Sequence, residues 1–223
     1  MKRNKVILLG NTGEIGSFLE ERLGEIYEIK GYSPENGFDL CREDDIKKII
    51  ETNADASALV NCAFKRVPGG SLQSYENNQM MDFFSANLFS LFNTLKYASK
   101  YLENCKYIYF SSIAVHGLEG QPIYSAVKGA AESLIKSCRE ELIQSKIEPV
   151  IIRLGPVAVE RKNFMPEIRE QHRSLQESLL NNMYADEFVQ KIEIFRLVKM
   201  ILEKEYHGFA GETINLSGGY RYL

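Results

Sequence analysis

The 223 residues, 44% of them hydrophobic and with a formal net charge of −3, suit one domain that buries a sizeable core. No basic block or aromatic-basic interleaving points to nucleic acid, and no apolar run approaches the ~20 residues of a membrane span. Cys41, Cys62, Cys105 and Cys138 lack any Cys-x-x-Cys spacing, and His116, His172 and His207 are dispersed. The expectation is reduced thiols in a cytoplasmic protein without a metal site. Met1 to Lys5 leads directly into a strand rather than into a secretory leader.

Lys5-Val-Ile-Leu-Leu9 reads as a short buried strand, followed at once by Gly10, Asn11, Thr12, Gly13, Glu14, Ile15 and Gly16. Phe18, Leu19 and Leu23 continue at helical spacing as far as Gly24. A glycine turn between a strand and a helix is the setting in which such a loop binds a dinucleotide. The glycines allow a tight turn and a close backbone approach, and the helix N-terminus offers free amides to a pyrophosphate.

A second strand, about 27–32, ends without the acidic residue that would hold the adenosine ribose of NAD. Ser33, with Lys30 or Arg42 nearby, suits the 2′-phosphate of NADP, whereas Glu35 suits NAD; the balance leans slightly to NADP(H). Phe38-Asp39-Leu40 precedes a helix carrying Ile46, Ile49 and Ile50. At this position Asp39, with Leu40 beside it, either accepts from the adenine amino group or caps that helix.

Ala56 to Val60 is the next strand and runs into Asn61, Cys62 and Ala63, small residues that let a cofactor pass close to the backbone. A helical region covers about 75–102, with Asn87 inside its apolar face. Asn87 is either a satisfied packing group or a support for Lys128 through water. The strand at 107–111 ends in Ser111 and Ser112, and a helix over 121–143 carries Tyr124 and Lys128 on one face, one turn apart. A free phenol has a pKa of about 10, and a neighbouring ammonium lowers it. A serine hydroxyl beside the pair can hold the oxygen of a carbonyl or alcohol. The group suits moving a proton while something else moves a hydride.

Glu148 to Arg153 is a further strand, followed by Leu154-Gly-Pro-Val157. Residues 158–182 mix Arg161, Lys162, Arg169, His172 and Arg173 with acidic residues. Such a segment is either a solvated helix face or, over 156–182, a substrate lid whose arginines meet phosphate. A helix at 192–202 and a strand at 212–216 complete the pattern before Gly218-Gly219. There are no internal repeats. Strands alternating with helices predict an α/β fold, a three-layer doubly wound parallel sheet (Rossmann fold) in one domain over 1–223.

With these motifs in order, the sequence resembles the short-chain dehydrogenase/reductase superfamily over nearly its whole length. The resemblance rests on the glycine turn at 10–16, Asn61-Cys-Ala63, Ser112 with Tyr124 and Lys128, and Gly218-Gly219. The front half resembles the extended, nucleotide-sugar-modifying branch, through Gly-x-x-Gly-x-x-Gly and Ser111-Ser-Ile-Ala-Val-His-Gly117; the ending is that of the compact branch.

The resemblance implies an NAD(P)-dependent oxidoreductase that interconverts a carbonyl and an alcohol, on a substrate that is small or sugar-like, such as a nucleotide sugar of polysaccharide synthesis. Tyr124 would be the acid/base and Lys128 would lower its pKa and hold the nicotinamide ribose. Ser112 would orient the carbonyl and Asn87 would complete the proton relay. Alignment on Val115 and Gly117 selects Ser112, while the compact-branch spacing to Tyr124 selects Ser111. Leu154, Gly155 and Val157 fall in the cofactor-covering loop, with Leu154 where a proline is usual. A homodimer or homotetramer through the helices at 75–102 and 121–143 is also implied. The rival readings are a non-catalytic NAD(P) sensor and a nucleotide-sugar epimerase.

Overall fold

The structure, a computed structural model, describes residues 4–159, 177, 179–181, 183–185, 187–203 and 207–220. Its centre is one six-stranded sheet made of β1 (Lys5–Leu9), β2 (Glu28–Tyr32), β3 (Ala58–Asn61), β4 (Cys105–Ser112), β5 (Ile147–Leu154) and β6 (Thr213–Leu216). The spatial order is β2-β1-β3-β4-β5-β6, and every neighbouring pair is parallel. Parallel neighbours need crossover connections, which are supplied by α1 (Glu14–Gly24), α2 (Glu43–Thr52), α3 (Asn77–Phe84), α4 (Ser90–Tyr101), α5 (Pro122–Ser137), α6 (Arg139–Gln144) and α7 (Lys191–Leu202).

Alternation along the strands sorts the core into two layers. Ile7, Leu9, Leu59, Tyr107, Tyr109 and Ile151 pack with Ile46, Ile49 and Ile50 of α2, Leu91 and Leu95 of α4, and Ile135 of α5. Val6, Leu8, Val60, Ile108, Phe110 and Ile152 face the other way, onto Leu19 and Leu23 of α1 and Ile194, Val198 and Ile201 of α7. This is the doubly wound three-layer arrangement expected from the sequence. Lys106, on the α7 side of β4, is buried with its amine donating to the Ile201 and Glu203 carbonyls at 2.7 Å each. It satisfies the exposed carbonyl end of α7 and ties that end to the sheet.

Two long helices expected from the sequence are interrupted. The 75–102 region is α3, a π-helical segment at Ser85–Phe89, and α4. The 121–143 region breaks at Cys138 between α5 and α6. A π-turn widens the helix by one residue and shifts its register, a feature often found at functional sites. Asn87 sits inside this one. Among the described residues, no helix is long and apolar enough to cross a membrane.

Candidate active site

The sheet reverses its winding at β1, which has β2 on one side and β3 on the other, so the crevice above their carboxyl ends is the topological switch point. Gly10 turns the chain there in the left-handed region, at φ +77°, and a side chain on it would stand 2.8 Å from the Ala63 backbone. Gly16 lies against the turn so closely that a Cβ would meet the Gly10 carbonyl oxygen at 2.1 Å. Gly13 is the N-cap of α1 and offers no side-chain cap, so the first amides of this 11-residue helix face the crevice. That geometry fits a pyrophosphate.

Three side chains of the turn, Asn11, Thr12 and Glu14, are each engaged by another side chain. Asn11 is buried and its amide donates to both Glu20 carboxylate oxygens at 3.0 Å. Thr12 donates from Oγ1 to Glu35 Oε2 at 2.8 Å, which helps to hold the Glu35 carboxyl below the usual carboxylate range. Glu14 pairs with Lys191 at 3.7 Å.

Ser33, expected at a ribose phosphate, is instead 1% exposed and is held by Asn36, whose side-chain oxygen accepts from the Ser33 amide at 2.7 Å. Asp39 neither reaches the cleft lining nor caps α2 directly; its carboxylate accepts from the Cys41 amide at 2.9 Å and shapes the turn before Arg42, the N-cap. Leu40 is a core residue packed with Ile46 and Ile50. Lys30 is paired with Glu28 at 3.1 Å.

Beyond β3, Asn61 points inward, accepting from the Ala63 amide at 3.0 Å and donating to the Tyr107 hydroxyl at 3.3 Å. It fixes the strand tip over which Cys62 and Ala63 line the cleft. Across that tip stand Tyr124 and Lys128 of α5. Burial pushes the Lys128 amine down to about 7, against the raising influence of Glu132 and Cys62. Its Nζ donates to the Phe110 carbonyl at 2.8 Å and lies 4.1 Å from the centre of the Phe64 ring and 5.1 Å from that of Tyr109. The Phe64 ring also meets Tyr124 edge to face, centroids 5.4 Å apart.

The two serines at the end of β4 differ in their partners. Ser111 Oγ donates to Glu132 Oε1 at 2.7 Å, whereas Ser112 Oγ accepts from the Ala114 amide at 3.2 Å. Both border the cleft. Glu132, one turn beyond Lys128 on α5, also takes two bonds of 2.7 Å from Arg153 and one of 3.0 Å from Lys136. Burial raises its pKa, but the bonds from Arg153, Ser111 and Lys136 outweigh that and bring it to about 2.

Asn87 spends its side chain away from Lys128. It accepts from the Lys65 amide at 2.8 Å and donates to the Lys65 and Phe83 carbonyls at 3.0 and 2.9 Å. It therefore clamps the segment that presents Phe64. In the loop expected to cover the cofactor, Gly155 packs so tightly on Ser217 that a Cβ would stand 2.8 Å from its backbone, and Val157 forms a parallel bridge with Val189. The arginines of the lid expected over 156–182 lie outside the described residues.

Gly13 to Gly16, Cys62 to Phe64, Ser111, Ser112, Tyr124, Lys128 and Leu154 to Val157 all border one cleft of about 450 Å³. Its remaining wall is largely apolar, with Val67, Ile113, Leu118, Val159 and Leu179, and its further polar groups are Arg66 and Gln121. Sequence reasoning missed Phe64, Glu132 and Arg153. The spacing of Glu132 from Lys128 was a readable signal; the Phe64 ring and the Arg153 pairing needed the fold. No group of three or more potential metal ligands occurs among the described residues.

The fold and this cleft define a dinucleotide-binding α/β protein of the doubly wound class. A family model described as "Enoyl-(Acyl carrier protein) reductase" matches residues 32–221, and the chain belongs to that family, within the short-chain dehydrogenase/reductases. An uncharacterized oxidoreductase, YhdF, of Bacillus subtilis (strain 168) is 25% identical over 179 residues; the match takes in 79% of this chain and 60% of that protein's length. Among solved structures, a small-chain dehydrogenase in complex with NADPH superimposes with a TM-score of 0.85 at 19% identity, covering 98% of both chains. A short-chain type dehydrogenase/reductase from Mycobacterium ulcerans has the same TM-score at 17% identity, covering 98% of this chain and 90% of that one. At these identities the superpositions show the fold.

Proposed function

We propose that the protein is an NAD(P)-dependent oxidoreductase that interconverts a carbonyl and an alcohol. The observation that carries this reading is the meeting, in one cleft, of the uncapped α1 amides behind the glycine turn with Tyr124, Lys128 and Ser112. The turn fits a dinucleotide because side chains at Gly10 and Gly16 would fill the space in which its backbone closes. A bound nicotinamide supplies or accepts the hydride. Tyr124 gives the proton to the carbonyl oxygen, or takes it from the alcohol. Lys128, as an ammonium, stabilises the phenolate and would hold the cofactor ribose. Ser112 orients the substrate oxygen; Ser111 is the weaker candidate, because its hydroxyl proton is held by Glu132. Asn87 supports the wall of the site through Lys65 rather than relaying protons through its side chain.

The apolar walls favour a carbonyl compound with apolar flanks over a sugar, whose hydroxyls would lie unpaired against Val67, Ile113, Leu118 and Leu179. An enoyl thioester, the chemistry in the matching family's description, is the second class to screen. The sequence leans slightly to NADP(H), but the Glu35 carboxylate beside Thr12 opposes a 2′-phosphate at that edge of the turn and favours NAD(H). Assembly as a dimer or tetramer belongs to the same reading, supported by the exposed Met81, Phe89 and Phe92 around α3 and α4.

Replacing the acid tests the proposal. Tyr124→Phe should lower kcat by roughly two orders of magnitude or more while the coenzyme still binds. Unchanged turnover would remove Tyr124 from the mechanism.

A further inference from the structure

An ammonium has three N–H groups to satisfy. In Lys128 one is taken by the Phe110 carbonyl at 2.8 Å. The amine lies within cation–π reach of two rings, Phe64 at 4.1 Å and Tyr109 at 5.1 Å. Tyr109 belongs to the sheet and is 3% exposed, so its ring is a fixed floor. Phe64 is different: it lies just beyond the β3 tip, half-buried, on a segment fastened by the Asn87 clamp on Lys65. It also borders the cleft and packs against Tyr124. One ring thus touches both members of the proposed proton-handling pair.

We propose that Phe64 is the positioning residue for Lys128: the π-face of its ring holds the side chain as a buried ammonium against the Phe110 carbonyl. The inference rests on the reading of Tyr124 and Lys128 as the proton-handling pair. The π-face supplies negative potential on the side where water would otherwise solvate the charge. The titratable and charged groups around Lys128 are Tyr124 and Glu132 of α5, Cys62 beyond β3 and Tyr109 of β4, with Arg153 of β5, Lys136 and His116 behind Glu132. Phe64 adds no charge of its own, so its effect is separable from theirs by substitution.

The test is an NMR titration of the coenzyme-free protein with isotope-labelled lysine side chains, the Lys128 signal being assigned by its loss in Lys128→Met. The wild-type midpoint is expected near 7. Phe64→Tyr keeps the π-face and should leave it in place. Phe64→Leu keeps an apolar cover without the π-face and should lower it by about one unit. A Phe64→Leu midpoint equal to that of the wild type, or above it, overturns the proposal, because the ring would then be filler or a water barrier alone. No substrate or coenzyme is present, so this failure is distinct from a failure of Tyr124→Phe to lose turnover.

Discussion

Ser111 and Arg153 face each other as register partners on β4 and β5, and both donate to the carboxylate of Glu132. That shared acceptor fastens α5 to the strand ends one helical turn beyond Lys128, so the height of Lys128 over the cleft is set by a buried ion pair. A carboxyl held at about 2 contributes stability that is present above its ordinary pKa near 4.5 and is lost as the pH falls from there towards 2. Glu132→Gln should therefore lower stability by about 3 kcal/mol at neutral pH and flatten the acid limb between these values. Denaturant titrations over that pH range measure it. An acid limb as steep as in the wild type would contradict the assignment.

Two glycines separate a tight approach from an open one. Gly16→Ala places a Cβ 2.1 Å from the Gly10 carbonyl oxygen, whereas a Cβ at Gly129 meets nothing within 4 Å. Gly16→Ala should distort the turn and weaken coenzyme binding by more than ~10-fold. Gly129→Ala, inside α5, should instead raise stability by up to about 1 kcal/mol. Equal coenzyme affinity in wild type and Gly16→Ala would mean that the turn is not the binding loop.

On the proposed reading, coenzyme choice turns on Glu35. Its carboxylate, bonded by Thr12, would meet a 2′-phosphate as a like charge. Glu35→Gln should raise the affinity for NADPH relative to NADH by roughly 10-fold, as expected for one repulsive contact near the surface. The ratio of the two dissociation constants at low salt reports it, and a constant ratio would place the adenosine ribose elsewhere.

Most of the fold was legible because the signals are local. Apolar strands such as Lys5–Leu9, and helices with a clear apolar stripe such as Lys191–Leu202, declare themselves by period and composition. The break of the 75–102 helix at Ser85–Phe89 was not legible, since a π-turn has no strong residue signature and follows from packing. At the site, Tyr124 and Lys128 could be paired by spacing alone, and Gly10, Gly13 and Gly16 by their place after β1. The partners of Ser33 and Asn11 were not legible for a shared reason: a polar residue in a turn reads as available, and here each is held by another side chain, Asn36 and Glu20. Phe64 was silent because its partner Lys128 lies far along the chain and meets it only through the crossover of the sheet.

The measurement that bears most directly on the central claim is a titration of the protein with NADH and with NADPH, followed by nicotinamide fluorescence, in wild type and Gly16→Ala. The account predicts saturable binding in the wild type, tighter for NADH, and its weakening in the variant. Binding of neither coenzyme by the folded wild-type protein would contradict it.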